Sequence, residues 1–184
     1  GARPMRSSNG FDYNRASMLL AVLEKRGSLK VSQCDAYLNI IGGLTLDEPA
    51  ADLAAVVAIA SSYLDKPVPS TMAAGEVGLS GEIRSITHME QRLSEVKRLG
   101  FTQCMVPAHK VKDLKAPVGL ELLPVANISR ALQLLAGDNR HIMEARVGSA
   151  WLANRVVAGV QRAHAVLLPA TAVDAGYHTI TPLP

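Results

Sequence analysis

Residues 72–107 read MAAGEVGLSGEIRSITHMEQRLSEVKRLGFTQCMVP, and the order of elements in this stretch decides the fold. It predicts a strand, a tight glycine turn, a second strand, a helix and a third strand. Gly75, Gly78 and Gly81 punctuate the first half, where a chain reversal calls for residues tolerant of positive φ. Met89, Leu93 and Val96 make a helical stripe, with Glu90, Arg92, Glu95, Lys97 and Arg98 largely outside it. Gly100 ends that helix, and Phe101–Val106 is a strand stopped by Pro107.

The flanking sequence sets the scale. A chain of 184 residues suits one domain with room for an extension. At this length about 70% of the unfolded surface can be buried. Apolar residues make up 48% of the chain and aromatics only 4%, so the core must be built from Ala, Val, Leu and Ile. The net charge of +3 permits a polyanionic partner without requiring one. Cys34 and Cys104 stand far apart with no Cys-x-x-Cys, and two buried free thiols are expected rather than a disulfide. The start, GARPMRSSNG, is polar and shows no signal peptide, and the apolar run Leu53–Ala60 is too short to span a bilayer. The cytoplasm is the expected location and no membrane partner is expected. The abrupt start without Met suggests a piece of a longer protein.

Residues 1–10 are expected to be a mobile lead-in, 11–137 a single domain, and 138–184 an extension of unassigned role. Residues 14–26 predict a helix capped by Asp12 or Asn14, with Lys25 and Arg26 at its C-terminal end before Gly27. Val31–Ile41 contains a strand, broken by Gly42-Gly43. Asp47-Glu48-Pro49 opens a helix running to Leu64, apolar almost all round and so expected in the centre of the core. Residues 66–70 form a loop. After the opening stretch, His109–Pro117 is a basic loop, Leu120–Val125 a strand, and Asn127 or Ser129 starts a last helix to about Leu135. Apolar residues over 140–168 recur at helical spacing, against which Gly148 and Gly159 count, and 169–184 reads as irregular.

Several chemistries have no residues to carry them. There is no P-loop, and the glycines at 75, 78 and 81 lie in a hairpin rather than a strand-to-helix turn. His88, His109, His141, His164 and His178 are scattered and show no metal-ligand spacing.

The segment Gly75-Glu-Val-Gly-Leu-Ser-Gly-Glu-Ile-Arg84, with the charged helix and Val106-Pro107 behind it, resembles the proteolytic domain of Lon. More closely, the chain resembles the Lon-like C-terminal domain of the bacterial recombination protein RadA (also called Sms). Tyr13-Asn14-Arg15, Glu24-Lys-Arg26, Asp35-Ala-Tyr37, Gly42-Gly43-Leu44, Glu48-Pro-Ala-Ala-Asp52 and Lys66-Pro67 follow that pattern in order, over about residues 8–136. The implied fold is α+β, of the ribosomal protein S5 domain 2-like class, with a mixed sheet packed by helices. Active Lon-type proteases carry their nucleophile in Gly-Pro-Ser-Ala-Gly. Aligned with it here is Glu48-Pro49-Ala50-Ala51-Asp52, so Ala50 takes the serine's place, and counting on from Gly75 puts Glu90 at the catalytic lysine. Alanine has no nucleophilic atom, and glutamate cannot serve as the amine of a Ser–Lys dyad. Arg92 stays protonated and cannot act as base.

The resemblance therefore implies a domain without peptidase activity. It contributes DNA binding and assembly of a homo-hexameric ring in recombinational DNA repair, with the RecA recombinase as a further partner of the whole protein. ATP, Mg2+ and Zn2+ belong to parts of such proteins whose motifs this sequence does not contain, so no cofactor is expected here. Candidate DNA contacts are Arg84, Arg92, Lys97, Arg98, Lys110, Lys112 and Lys115, weighed against the plainer reading of solvated charges beside Glu82, Glu90, Glu95 and Asp113. No aromatics interleave with them, so base stacking is not expected. A purely structural oligomerisation module is the alternative, with Tyr13, Asn14 and Arg15 and the Ala-rich helix as contacts. A Lon-type serine peptidase working by an unrecognised route is the third reading, although Ser80 and Ser85 are turn serines with no base at a meaningful spacing; loss of activity in Ser80→Ala would select it.

Overall fold

In the computed structural model, alternation of buried side chains along two parallel sheets sorts the core into two layers. The structure describes residues 6–40, 45–66 and 71–137, and the backbone of 155–159. The elements run β1 (Arg6–Asn9), α1 (Tyr13–Gly27), β2 (Asp35–Asn39), α2 (Asp52–Leu64), β3 (Thr71–Ala73), β4 (Glu76–Val77) and β5 (Ile83–Arg84). They continue with α3 (Met89–Arg98), β6 (Gln103–Pro107), β7 (Glu121–Val125), α4 (Ile128–Gly137) and β8 (Arg155–Gly159). One sheet has the order β1-β2-β8, a second β3-β6-β7, and β4-β5 is a hairpin. Both three-stranded sheets are parallel throughout and the β4-β5 hairpin is antiparallel. The mixed α+β architecture expected from the sequence is present.

The β3-β6-β7 sheet separates the two layers. Met72, Cys104 and Leu122 stand in register and pack with Met89, Leu93 and Val96 of α3. Their neighbours Ala73, Met105 and Leu123 point the other way and pack into the larger core with α1, α2 and α4. The period-2 alternation of a strand thus lets one strand serve two helical layers. Helix α2 lies within the larger layer: every residue from Asp52 to Ser61 is buried. Its small Ala side chains (54, 55, 58 and 60) allow that close approach on all sides. Both cysteines are free and buried, and burial pushes the Cys104 thiol up to about 12.

The caps show where sequence reasoning was right and where backbone geometry intervened. Asp12 caps α1, its Oδ1 accepting from Arg15 N at 2.7 Å. Gly27 lies inside the helix, and the left-handed cap residue is Ser28, at φ 57°. Pro49 starts a short 3-10 turn, Pro49–Ala51, that leads into α2. Of the three hairpin glycines only Gly81 has a positive φ, at 83°. Gly75 is required by close approach, since a Cβ there would come within 2.8 Å of Ile83 Cγ2.

Two segments outside residues 11–137 pair with β2. Arg6–Asn9 pairs in parallel with Ala36–Asn39, so this part of the lead-in is an edge strand of the first sheet. Residues 155–159 form β8, parallel to β2 on its other side, within a segment whose apolar residues recur at helical spacing. The β-branched pair Val156-Val157 suits a strand, and β2 offers it an open row of backbone hydrogen-bonding groups. The expectations for Gly42-Gly43, for residues 67–70, and for the rest of 138–184 with His141, His164 and His178, fall outside the described residues.

Candidate functional site

The segment Glu48–Asp52 is tied to the hairpin by backbone. Gly75 N donates to Ala50 O and Leu53 N donates to Gly75 O, each at 3.0 Å. Ala50 is buried at 2% exposure. A Cβ on Gly75 would press on Ile83 Cγ2 within the hairpin and lie 3.4 Å from Leu53 Cδ2 at the start of α2.

Asp52 is fully buried at the start of α2 and gathers three elements. Its Oδ1 accepts from Arg15 Nε of α1 at 2.6 Å, and its Oδ2 accepts from Val77 N of β4 at 3.0 Å. A second hydrogen bond from Arg15 Nη2 makes the pair bidentate. Burial pushes the Asp52 carboxyl up from its usual range, and the bonds from Arg15 and Val77 pull against that shift. Arg15 in turn is held further above its ordinary value by Asp52. Arg15 also lies 3.9 Å from Glu76, which lies 3.9 Å from Arg84. The sequence pattern contained both residues, with Arg15 among the candidate subunit contacts, but did not pair them, because residues 37 apart in the chain give no local sign of pairing.

Helix α3 carries the other half of the site. Arg92 is only 4% exposed. Its Nε donates to Thr87 O at 3.0 Å and its Nη2 to Glu48 Oε1 at 3.2 Å. This corrects Arg92 as a DNA candidate: its guanidinium is buried against the chain's own carboxylate and carbonyl. Glu90, two residues earlier, is exposed, and its Oε1 accepts from Lys115 N at 3.1 Å. The helix therefore turns a buried arginine toward the segment that carries Ala50 and gives its glutamate to a surface loop.

The remaining basic candidates divide by their partners. Arg84 bonds Glu82 Oε1 through Nη2 at 2.6 Å. Arg98 bonds Glu95, through Nε at 2.7 Å and again through Nη2. That guanidinium holds the Glu95 carboxyl below its usual range. Lys97 Nζ donates to Gly119 O at 3.3 Å. Lys110, Lys112 and Lys115 are exposed and form no ion pair among the described residues. Sequence reasoning could not separate these residues by partner, because partner choice depends on side-chain reach across elements. Among the described residues no cluster of His, Cys, Asp and Glu is suited to a metal ion, and no helix is long and apolar enough to cross a membrane.

Comparison with known proteins identifies the family. Residues 29–135 match the family model described as Lon protease (S16) C-terminal proteolytic domain. Over 135 residues the chain is 47% identical to the DNA repair protein RadA of Bacillus subtilis, a match covering 73% of this chain and 30% of that protein. It is 47% identical over 129 residues to RadA of Streptococcus pneumoniae, covering 70% and 31%. With RadA of Listeria monocytogenes the identity is 46% over 134 residues, covering 72% and 29%. The matched region thus spans a little under a third of the length of these relatives.

Proposed function

Because this chain belongs to the Lon protease (S16) C-terminal proteolytic domain family, we propose that it acts as a non-proteolytic Lon-like domain of a RadA-type DNA repair protein. In this reading it contributes DNA binding and hexameric ring assembly to recombinational repair, in the cytoplasm, alongside the RecA recombinase. The observation that carries the reading is the extent of identity to RadA proteins in a chain with Ala50 and Glu90 at the expected dyad positions. The surroundings of those positions support it. Ala50 offers no nucleophile, and Glu90 carries an acceptor where the dyad needs an amine. The ion pair of the buried Arg92 with Glu48 spans from α3 to the residues just before Ala50.

Two measurements test this. Binding of the full chain to labelled duplex DNA should weaken steeply with salt, the log–log slope giving about 0.9 per phosphate neutralised. A salt-independent affinity, or none, would remove DNA from the reading. Casein or fluorogenic peptides should remain uncleaved, both by the wild type and by the double variant Ala50→Ser/Glu90→Lys. A dyad still needs an oxyanion pocket and substrate access. Cleavage by the double variant would show a framework still competent for hydrolysis.

A purely structural oligomerisation module is the second reading, in which the exposed apolar side chains Tyr13 (50%), Leu79 (73%) and Val118 (96%) are candidate contacts. Assembly seen by light scattering in a chain with no DNA affinity would select that reading.

A further inference from the structure

We infer that the loop Ala108–Gly119 is the DNA-contacting element of this domain, and that Glu90 and Lys97 of α3 are the residues that position it. This deepens the DNA-binding reading above and rests on it. Glu90 and Lys97 stand seven residues apart and so share one face of α3. Each spends its side chain on the loop's backbone: Glu90 Oε1 accepts from Lys115 N at 3.1 Å, and Lys97 Nζ donates to Gly119 O at 3.3 Å. The loop is thus held at two points from a helix whose other face is fixed in the core by Met89, Leu93 and Val96. Gly119 suits this arrangement because its φ is 79° and a Cβ there would come within 2.9 Å of Lys97 Nζ.

At and before the first of these two points the loop presents its charge. Lys110, Lys112 and Lys115 are exposed without ion pairs among the described residues, and Asp113 is the single acidic residue in the loop. Arg84 and Arg98 are already neutralised by Glu82 and Glu95. Charge that has no internal partner is the charge available to replace counterions on a phosphate backbone. The loop contains no Phe, Tyr or Trp and so has no ring on which to stack bases. Its partner is the DNA backbone, read without base preference. The residue at the expected lysine position of a Lon dyad has become an acceptor that shapes a binding loop.

The test is fluorescence anisotropy of the full chain on two labelled duplexes of different base composition, across a salt series. The triple variant Lys110→Ala/Lys112→Ala/Lys115→Ala should bind about ten-fold or more weakly and lower the salt slope by two to three, at about 0.9 per lost phosphate contact. Its melting temperature should stay that of the wild type, since the three side chains are exposed. For Glu90 the amide variant separates positioning from charge. Glu90→Gln keeps an acceptor oxygen and removes a negative charge, and should bind as well as the wild type or more tightly. Glu90→Ala should bind several-fold more weakly than Glu90→Gln and expose the Lys115 amide to faster hydrogen exchange. Equal affinities for Glu90→Ala and Glu90→Gln would overturn the positioning role. Wild-type binding that the triple lysine variant leaves unchanged, or that depends on base composition, would overturn the loop assignment alone. No wild-type binding at low salt would overturn the DNA reading, and this inference with it.

Discussion

Asp52→Ala is expected to destabilise the domain by about 3 kcal/mol or more, the range for breaking one side of a buried ion pair. The carboxylate is fully buried and holds Arg15, from α1, and the Val77 amide, from β4. Alanine leaves the Val77 N–H without its acceptor and removes the counter-charge of a guanidinium whose side chain is only 32% exposed. Glu76, 3.9 Å from Arg15, offsets a fraction of that loss. Asp52→Asn should cost clearly less. It keeps one acceptor oxygen and no longer requires burial of a charge, and burial is the main cause of the raised Asp52 pKa. Urea unfolding of the three proteins, with a common m-value, checks the ranking. Alanine and asparagine variants of equal stability would show that the Val77 and Arg15 bonds contribute nothing beyond the charge.

The second large effect is expected at Leu93. Leu93→Ala should lower stability by about 3 kcal/mol, because the residue has no exposed surface and the site combines lost apolar transfer with a cavity. Leu93 sits in the smaller layer, with Met72, Met89, Val96, Phe101, Cys104, Val106 and Leu120. A layer of this size has few neighbours able to move into the gap. Loosening α3 there should also slacken the loop held by Glu90 and Lys97, so DNA affinity should fall along with the denaturation midpoint. Leu93→Met, nearly volume-conserving, should cost under about 1.5 kcal/mol. Differential scanning calorimetry of the two variants distinguishes a cavity effect from a general intolerance of change at this position.

Much of the fold could be read along the chain, and the reasons are local. The Met89, Leu93, Val96 stripe specified both α3 and its buried face, as the structure bears out. Asp12, Pro49 and Gly100 marked element ends through backbone chemistry that acts within a few residues. The wholly apolar helix Asp52–Leu64 was legible as the centre of a core because no face of it suits water. The strand Arg155–Gly159 was not legible. Its short apolar run fits either period, and only the free edge of β2 selects the extended one.

The sequence by itself determined which residues could do chemistry. Alanine at position 50 has no nucleophilic atom wherever it lies, and the stretch 72–107 carries its turns, stripe and strand ends in its own residue types. The tertiary structure decided where the charges go. Seven basic residues that look alike in the chain separate into one buried on Glu48, two neutralised by neighbouring carboxylates, one bound to the Gly119 carbonyl and three without ion pairs among the described residues. Arg15 and Asp52, far apart in the chain, become one ion pair with its carboxylate buried. The physical reason is range: helix, turn and strand preferences act over a few residues, whereas an ion pair depends on a few ångströms of space that only the packed layers define.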